Sequence, residues 1–150
     1  MKIYCAGPFF NTKERKSLDR MIEVIKSVFP DNVELFIPME HEIPDGWSLP
    51  NSIWAKKVFD MDVKAIDSCD MMIAMYTGHY SDTGTVWETG YAAAKGIPVI
   101  GYIPKWAETK DMSLMVLNCF DGVLTEPAEG MIDGRIETLS SEVLRKYNQK

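Results

Sequence analysis

Asp82-Thr-Gly-Thr-Val-Trp-Glu88-Thr-Gly-Tyr-Ala-Ala-Ala-Lys-Gly-Ile-Pro-Val-Ile100 reads as a glycine-containing turn, a short helix, a tight glycine stop and a buried strand. Its two carboxylates, Asp82 and Glu88, bracket the point where the turn becomes a helix. In an open α/β sheet, loops of this kind form the ligand crevice at the carboxyl ends of the strands. An acid at a helix N-terminus is stabilised as an anion by the dipole and by free N–H groups. Such an anion is placed to attack an electron-poor carbon. The same residues also fit a capping box, with Thr85 as N-cap and Glu88 returning to its backbone N–H.

Working outward, short apolar runs alternate with helical segments. Residues 2–6 form a first strand that ends in Gly7-Pro8. Asn11 caps a helix to about residue 29, with Leu18, Met21, Ile22, Ile25 and Val28 on its inner face. Residues 33–37 form a second strand, and 41–50 a proline-rich loop with an exposed Trp47. Asn51 or Ser52 caps the next helix, which runs to about residue 68. Residues 71–76 form a third strand. Thr85 or Val86 opens the helix that Gly96 stops, and 97–103 is a fourth strand. Asp111 caps a short helix through Met115 and Leu117, 122–124 is a fifth strand, and 136–147 a final amphipathic helix. This alternation implies an α/β fold: a flavodoxin-like, doubly wound, five-stranded parallel sheet in three layers. The expected strand order is 2-1-3-4-5, with the switch point between strands 1 and 3.

The 150 residues fit one domain over 1–150, long enough to bury a core. A formal net charge of −6 argues against a nucleic-acid polymer as partner, because that needs a basic stripe. It leaves a small neutral substrate open. Cys5, Cys69 and Cys119 are odd in number and form no CxxC, so neither a disulfide framework nor a zinc site is indicated. His41 and His79 lack ligand spacing and read as surface or loop residues. Pro8 interrupts the N-terminus before an apolar signal region forms, and no run is long enough to span a membrane. A cytoplasmic protein with reduced thiols is expected.

The carboxyl ends of strands 1, 3 and 4 should converge. Strand 1 delivers Tyr4, then Gly7, where a ligand can approach closely, and Phe9 and Phe10, of which Phe9 is expected to face the crevice. Asp62, Ile66 and Cys69 fall at i, i+4 and i+7, so Asp62 sits on a buried stripe and needs a partner. Asp60 cannot share that face and reads as a surface residue, while Asp67 and Asp70 serve solvation and the turn into strand 3. Glu88 shares a face with Thr85, Tyr91 and Ala92, so Asp62 and Glu88 can meet from two inward-facing positions. A carboxylate pair in a partly dry cleft has its pKa values driven apart, so one stays an anion while another supplies a proton.

Three segments in register resemble the nucleoside 2-deoxyribosyltransferase family: Ile3 to Phe10, Asp60-Met-Asp62-Val-Lys-Ala-Ile66-Asp-Ser-Cys-Asp70, and Asp82 to Ala92. The likeness continues to Asp111-Met-Ser113-Leu-Met115. It implies that Glu88 is the nucleophile on the anomeric carbon of a 2′-deoxynucleoside, and Asp62 an acid beside it. Asp82 corresponds to the residue that meets the base, Tyr4 to one that orients the glutamate, and Phe9 to an aromatic against the base. Gly7 and Gly84 fall in the loops around the substrate. Ser113 and Met115 fall on a segment that reaches a neighbouring subunit's site, which implies a homo-oligomer. The implied partners are a 2′-deoxyribonucleoside and a free nucleobase.

Retaining glycosidic cleavage uses a carboxylate nucleophile, a proton donor and an oxocarbenium-like transition state. It requires no metal and no organic cofactor. Serine at 113 is also the residue of nucleotide-cleaving relatives, so hydrolysis of 2′-deoxynucleoside 5′-monophosphates is the alternative. Phosphate recognition would need cations near the 5′ position, and Lys13, Arg15 and Lys16 lie near strand 1's loop. A third reading, a non-catalytic nucleotide-binding module, fits less well. Strand 1 ends in Gly-Pro-Phe-Phe rather than in clustered acids, and strand 3 in Tyr-Thr-Gly.

Overall fold

Ile3, Cys5, Met71, Ile73 and Met75 belong to one buried cluster, and Tyr4, Ala6, Met72 and Ala74 to another. Successive strand residues point to opposite faces, so both faces of these strands are dry. That is the signature of a parallel sheet covered on both sides by helices. The computed structural model, which describes residues 1–29, 33–107 and 113–125, contains this sheet. Its strands are β1 (Lys2–Ala6), β2 (Glu34–Phe36), β3 (Met71–Met75), β4 (Val99–Ile103) and β5 (Gly122–Thr125). All four pairings are parallel and the order is β2-β1-β3-β4-β5, the order expected from the sequence.

Helix α1 (Thr12–Val28) covers the Ile3–Cys5 face. Asn11 caps it by accepting from the Glu14 N–H at 3.0 Å, and Leu18, Met21, Ile22, Val24 and Ile25 are buried beneath it. Helices α2 (Asn51–Asp67) and α3 (Thr83–Ala94) cover the Tyr4–Ala6 face through Ala65, Ile66 and Ala92. Side-chain alternation along β1 therefore aims Tyr4 toward α2 and α3.

Some boundaries differ from expectation. Pro50, not Asn51 or Ser52, is the N-cap of α2. It makes no side-chain cap bond, and its carbonyl accepts from the Ile53 and Trp54 N–H groups at 2.9 and 3.0 Å. Helix α3 begins two to three residues earlier than expected, at Thr83. Its end is a left-handed cap at Gly96 (φ 73°). There the Ile97 N–H returns to the Ala92 carbonyl and the Gly96 N–H to that of Ala93, both at 3.0 Å. Those bonds commit residue 97 to the turn, so β4 starts at Val99. Helix α4 is a single turn, Leu114–Leu117, with Ser113 as N-cap. The expected cap at Asp111 and the helix over 136–147 lie outside the described residues.

Gly101 lies in the middle of β4, where an ideal Cβ would stand 2.8 Å from two ring carbons of Phe120. Gly101→Ala should therefore lower the unfolding free energy by about 1–3 kcal/mol through overpacking. Urea denaturation measures it. Phe120→Leu in the same background should recover part of the loss, and full stability of Gly101→Ala alone would contradict this packing.

Candidate active site

The site begins at the N-terminus of α3. Asp82 is its N-cap: Oδ2 accepts from the Thr85 N–H at 2.7 Å and from the Thr85 hydroxyl at 3.0 Å. The capping box read from Thr85 and Glu88 is thus replaced. The Asp82 side-chain oxygen, three residues before Thr85, satisfies that end of the helix directly. Glu88 is left to face across to the sheet.

There the Tyr4 hydroxyl donates to Glu88 Oε1 at 2.7 Å. Burial raises the Glu88 pKa to about 7, the Tyr4 hydrogen bond opposes that rise, and the charges of Asp62 and Asp82 add to it. Asp62 projects from α2, half-buried, and burial raises its pKa to about 6, against the pull of His41. Burial holds both carboxyls above the ordinary range, and a charge on Asp62 makes ionisation of Glu88 harder. Among the described residues Asp62 Oδ1 is buried without a hydrogen-bond partner. Burial and the two carboxylates push the Tyr4 phenol far above its ordinary pKa, so it remains a donor.

These groups line, or lie just beneath, a cleft of about 470 Å³. Gly7, Phe9 and Phe10 enter it from the β1–α1 loop, and Asp82, Gly84, Thr85 and Glu88 from α3. Asp62, Met61 and Trp54 line it from α2. Phe9 and Phe10 stack with centroids 5.1 Å apart, so both rings belong to the cleft, with Phe9 packed inward against the core and Phe10 exposed. Tyr4 lies beneath the cleft and acts on it through Glu88. Ser113 and Met115 are exposed and do not line it; the Ser113 N–H donates to the Tyr76 hydroxyl at 3.1 Å.

The other acids are engaged elsewhere. Asp60 is exposed and paired with Lys56. Asp67 meets Lys95 at 2.9 Å and the Tyr91 hydroxyl at 3.0 Å. Asp70 accepts from the Lys2 N–H at 2.7 Å and ties β1 to the turn into β3.

His41 and Trp47 are among the cleft residues that the sequence does not single out as site residues. His41 is an exposed loop residue, as expected, but its ring stacks on Phe36 at 4.1 Å with a 5° interplanar angle. Phe36 in turn stacks on Tyr4 at 5.3 Å and 15°. Trp47 also borders the cleft. By contrast, Lys13, Arg15 and Lys16 are not among the residues that line the cleft. Arg15 Nε donates to the Phe9 carbonyl at 2.8 Å, and Lys13 Nζ lies 4.0 Å over the Trp106 ring. Among the described residues, no three of His, Cys, Asp and Glu group in a way that could hold a metal ion.

A tyrosine-oriented carboxylate with a raised pKa, beside a second acid in a partly apolar cleft, suits covalent catalysis at a carbon that develops positive charge. The sequence profile described as nucleoside 2-deoxyribosyltransferase matches residues 3–134. The chain belongs to that family. It is an enzyme of the nucleoside deoxyribosyltransferase family by this match. The nucleoside deoxyribosyltransferase of Lactobacillus leichmannii is 25% identical over 131 residues, covering 81% of this chain and 82% of that protein. That of Lactobacillus johnsonii is 25% identical over 125 residues, covering 79% and 84%. The solved structure of a 2-deoxyribosyltransferase from Bacillus psychrosaccharolyticus superposes with a TM-score of 0.69 at 26% identity, covering 84% and 87%. A CMP N-glycosidase from Clostridium botulinum shares the fold at 17% identity and a TM-score of 0.53. Among the described residues no helix is long and apolar enough to cross a membrane.

Because Asp62 and Glu88 are held above the ordinary carboxylate range, the folded family member binds more protons than its unfolded chain at mildly acidic pH. The stability this confers is full below the unfolded carboxylate pKa and is lost as pH rises through about 7. Glu88→Gln removes the larger part of that loss. At pH 8 it should be more stable than the parent by on the order of 1 kcal/mol, after allowance for partial exposure, with little gain near pH 4. Urea denaturation across that range is the measurement, and parallel pH profiles would contradict the assignment.

Proposed function

We propose that this enzyme transfers a 2-deoxyribosyl group between nucleobases through a covalent intermediate on Glu88. The observation that carries the reading is the Tyr4–Glu88 hydrogen bond of 2.7 Å at the floor of the cleft. It holds Oε1 and leaves Oε2 for the attack on C1′. As the C1′–O bond forms, the C1′–N bond breaks and its electron pair leaves with the base. Asp82, whose Oδ2 is committed to the helix cap, turns its other oxygen to the base and relays a proton from solvent to it, and the acceptor base gives its own proton back by the same route when it attacks. An acceptor base then attacks C1′ from the same side, the C1′–O bond breaks, and Glu88 is restored. Two inversions give retention.

Phe9 supplies an apolar face for the base, while Gly7 and Gly84 keep the loops close around the sugar. Asp62 sits beside the nucleophile and delays its ionisation, so Glu88 is not locked as a fully solvated anion before substrate enters.

The lining favours a nucleoside over its 5′-monophosphate. Among the described residues, it contains Glu42, Asp62, Asp82 and Glu88, and neither lysine nor arginine. A phosphate dianion there would meet like charge without a bidentate or ammonium partner. The reading also includes a second copy of the chain at α4. Leu114 and Met115 are 76% and 81% exposed there, an apolar pair of the kind that marks an interface. Met112, two positions before Leu114, lies outside the described residues.

The test incubates the enzyme with deoxyinosine and adenine and separates the products by chromatography. Deoxyadenosine and hypoxanthine should form together. Free deoxyribose with no new nucleoside would mean hydrolysis, and turnover confined to a deoxynucleoside 5′-monophosphate would favour the alternative substrate. Glu88→Ala should lower kcat by at least about a thousandfold while remaining folded. Ribonucleosides should be used at least about a hundredfold less well in kcat/KM, the equivalent of roughly 2.7 kcal/mol. A 2′-hydroxyl withdraws electrons from the oxocarbenium-like centre.

A further inference from the structure

Trp47 is the most exposed large apolar side chain among the described residues, at 102% of its reference area, yet it borders the cleft. A fully wetted indole is an unusual use of tryptophan. The backbone that presents it is not loose. Trp47 sits in a 3₁₀ turn, Gly46–Ser48, closed by the Ser48 N–H to the Asp45 carbonyl at 2.9 Å and the Leu49 N–H to the Gly46 carbonyl at 3.2 Å. The Ser48 hydroxyl adds a bond to the Asp45 carbonyl at 2.8 Å. Asp45 enters the turn in the left-handed region, φ 56° and ψ 21°, a conformation costly for most side chains and tolerated by aspartate.

Gly46 fixes the height of the turn over α2. A Cβ there would stand 2.9 Å from Trp54 Cδ1 and 3.0 Å from its indole nitrogen. The turn therefore rests directly on the Trp54 ring, which lines the cleft from below. Phe10, which lines the same cleft, is 72% exposed and is likewise held by its backbone: its N–H donates to Glu14 Oε2 at 2.9 Å. Two exposed aromatic side chains, each on an anchored loop, thus border the cleft that the carboxylate pair lines.

We propose that Trp47 is a substrate-binding residue whose indole packs on the purine base of a bound nucleoside, opposite Phe9 and Phe10. This rests on the reading of the cleft as a nucleoside site and adds a base-size preference to it. A bicyclic base covers more of the indole than a monocyclic one, so Trp47 favours purines over pyrimidines. Base–aromatic stacking contributes about an order of magnitude in affinity per base.

The test uses calorimetry on the Glu88→Ala protein, which binds without turnover. Trp47→Ala in that background should weaken 2′-deoxyadenosine about tenfold and 2′-deoxycytidine clearly less. Trp47→Phe should restore most of the affinity while abolishing most of the ligand-induced change in tryptophan fluorescence. In the active protein, Trp47→Ala should raise KM for deoxyadenosine with kcat within about twofold of the parent. Unchanged affinity for both nucleosides in Trp47→Ala overturns the inference alone. The same holds if that variant loses self-association in sedimentation but not affinity, since the indole then belongs to an interface. Failure of Glu88→Ala with Trp47 intact to bind either nucleoside overturns both the inference and the nucleoside reading.

Discussion

The Tyr4–Glu88 hydrogen bond, 2.7 Å long and placed between a buried strand and a half-buried helix face, is the constraint around which the site is arranged. A carboxylate drawn out of water prefers to stay protonated. A phenol donor in the same place favours its ionised form. Burial outweighs the hydrogen bond, the charges of Asp62 and Asp82 add to it, and Glu88 is left with a pKa of about 7, a value that suits the nucleophile role proposed for it near neutral pH. The arrangement works only because Tyr4 cannot turn away. Its ring is buried and stacked on Phe36, its partner in the β1–β2 register.

That stack links fold to chemistry. Strand order brings Tyr4 between Phe36 on one side and Met72 on the other, and side-chain alternation aims it toward α2 and α3. The His41 ring continues the stack to the cleft wall. The Asp82 cap fixes the start of α3 and hence the turn on which Glu88 faces Tyr4. Asp62 arrives from the other helix of the same face. An acid pair is thereby assembled from two helices and oriented by a strand, all rigid elements, while the loops after β1 and β2 supply aromatic surface.

Much of this was legible in the chain. Apolar runs separated by helical spacing determine an all-parallel sheet, and the right-handed crossover rule narrows its order. Asp62 was marked by its place on the Ile66–Cys69 stripe, and Glu88 by its inward face. The start of α3 was misread because Asp82 and Thr85 are both good N-caps, and local spacing does not rank them. The Asp82 cap puts Thr85 inside the helix, and the tertiary pairing with Tyr4, 84 positions away, turns Glu88 to the sheet. His41 and Trp47 carried no periodic signal. They lie in a proline-rich segment whose path is set by a ring stack on Phe36 and by the contact of Gly46 with Trp54. Ser113 and Met115 face solvent, so among the described residues nothing assigns them a contact in the cleft.

The account stands on Glu88 as a covalent nucleophile. The enzyme mixed with deoxyinosine in the absence of acceptor base, quenched in acid within the first turnover and digested, is read by mass spectrometry. The peptide containing Glu88 should gain the mass of one deoxyribosyl group, and the gain should disappear when adenine is added before the quench. Efficient turnover with that peptide unmodified, or with the sugar found on Asp62 or Asp82, would contradict the account.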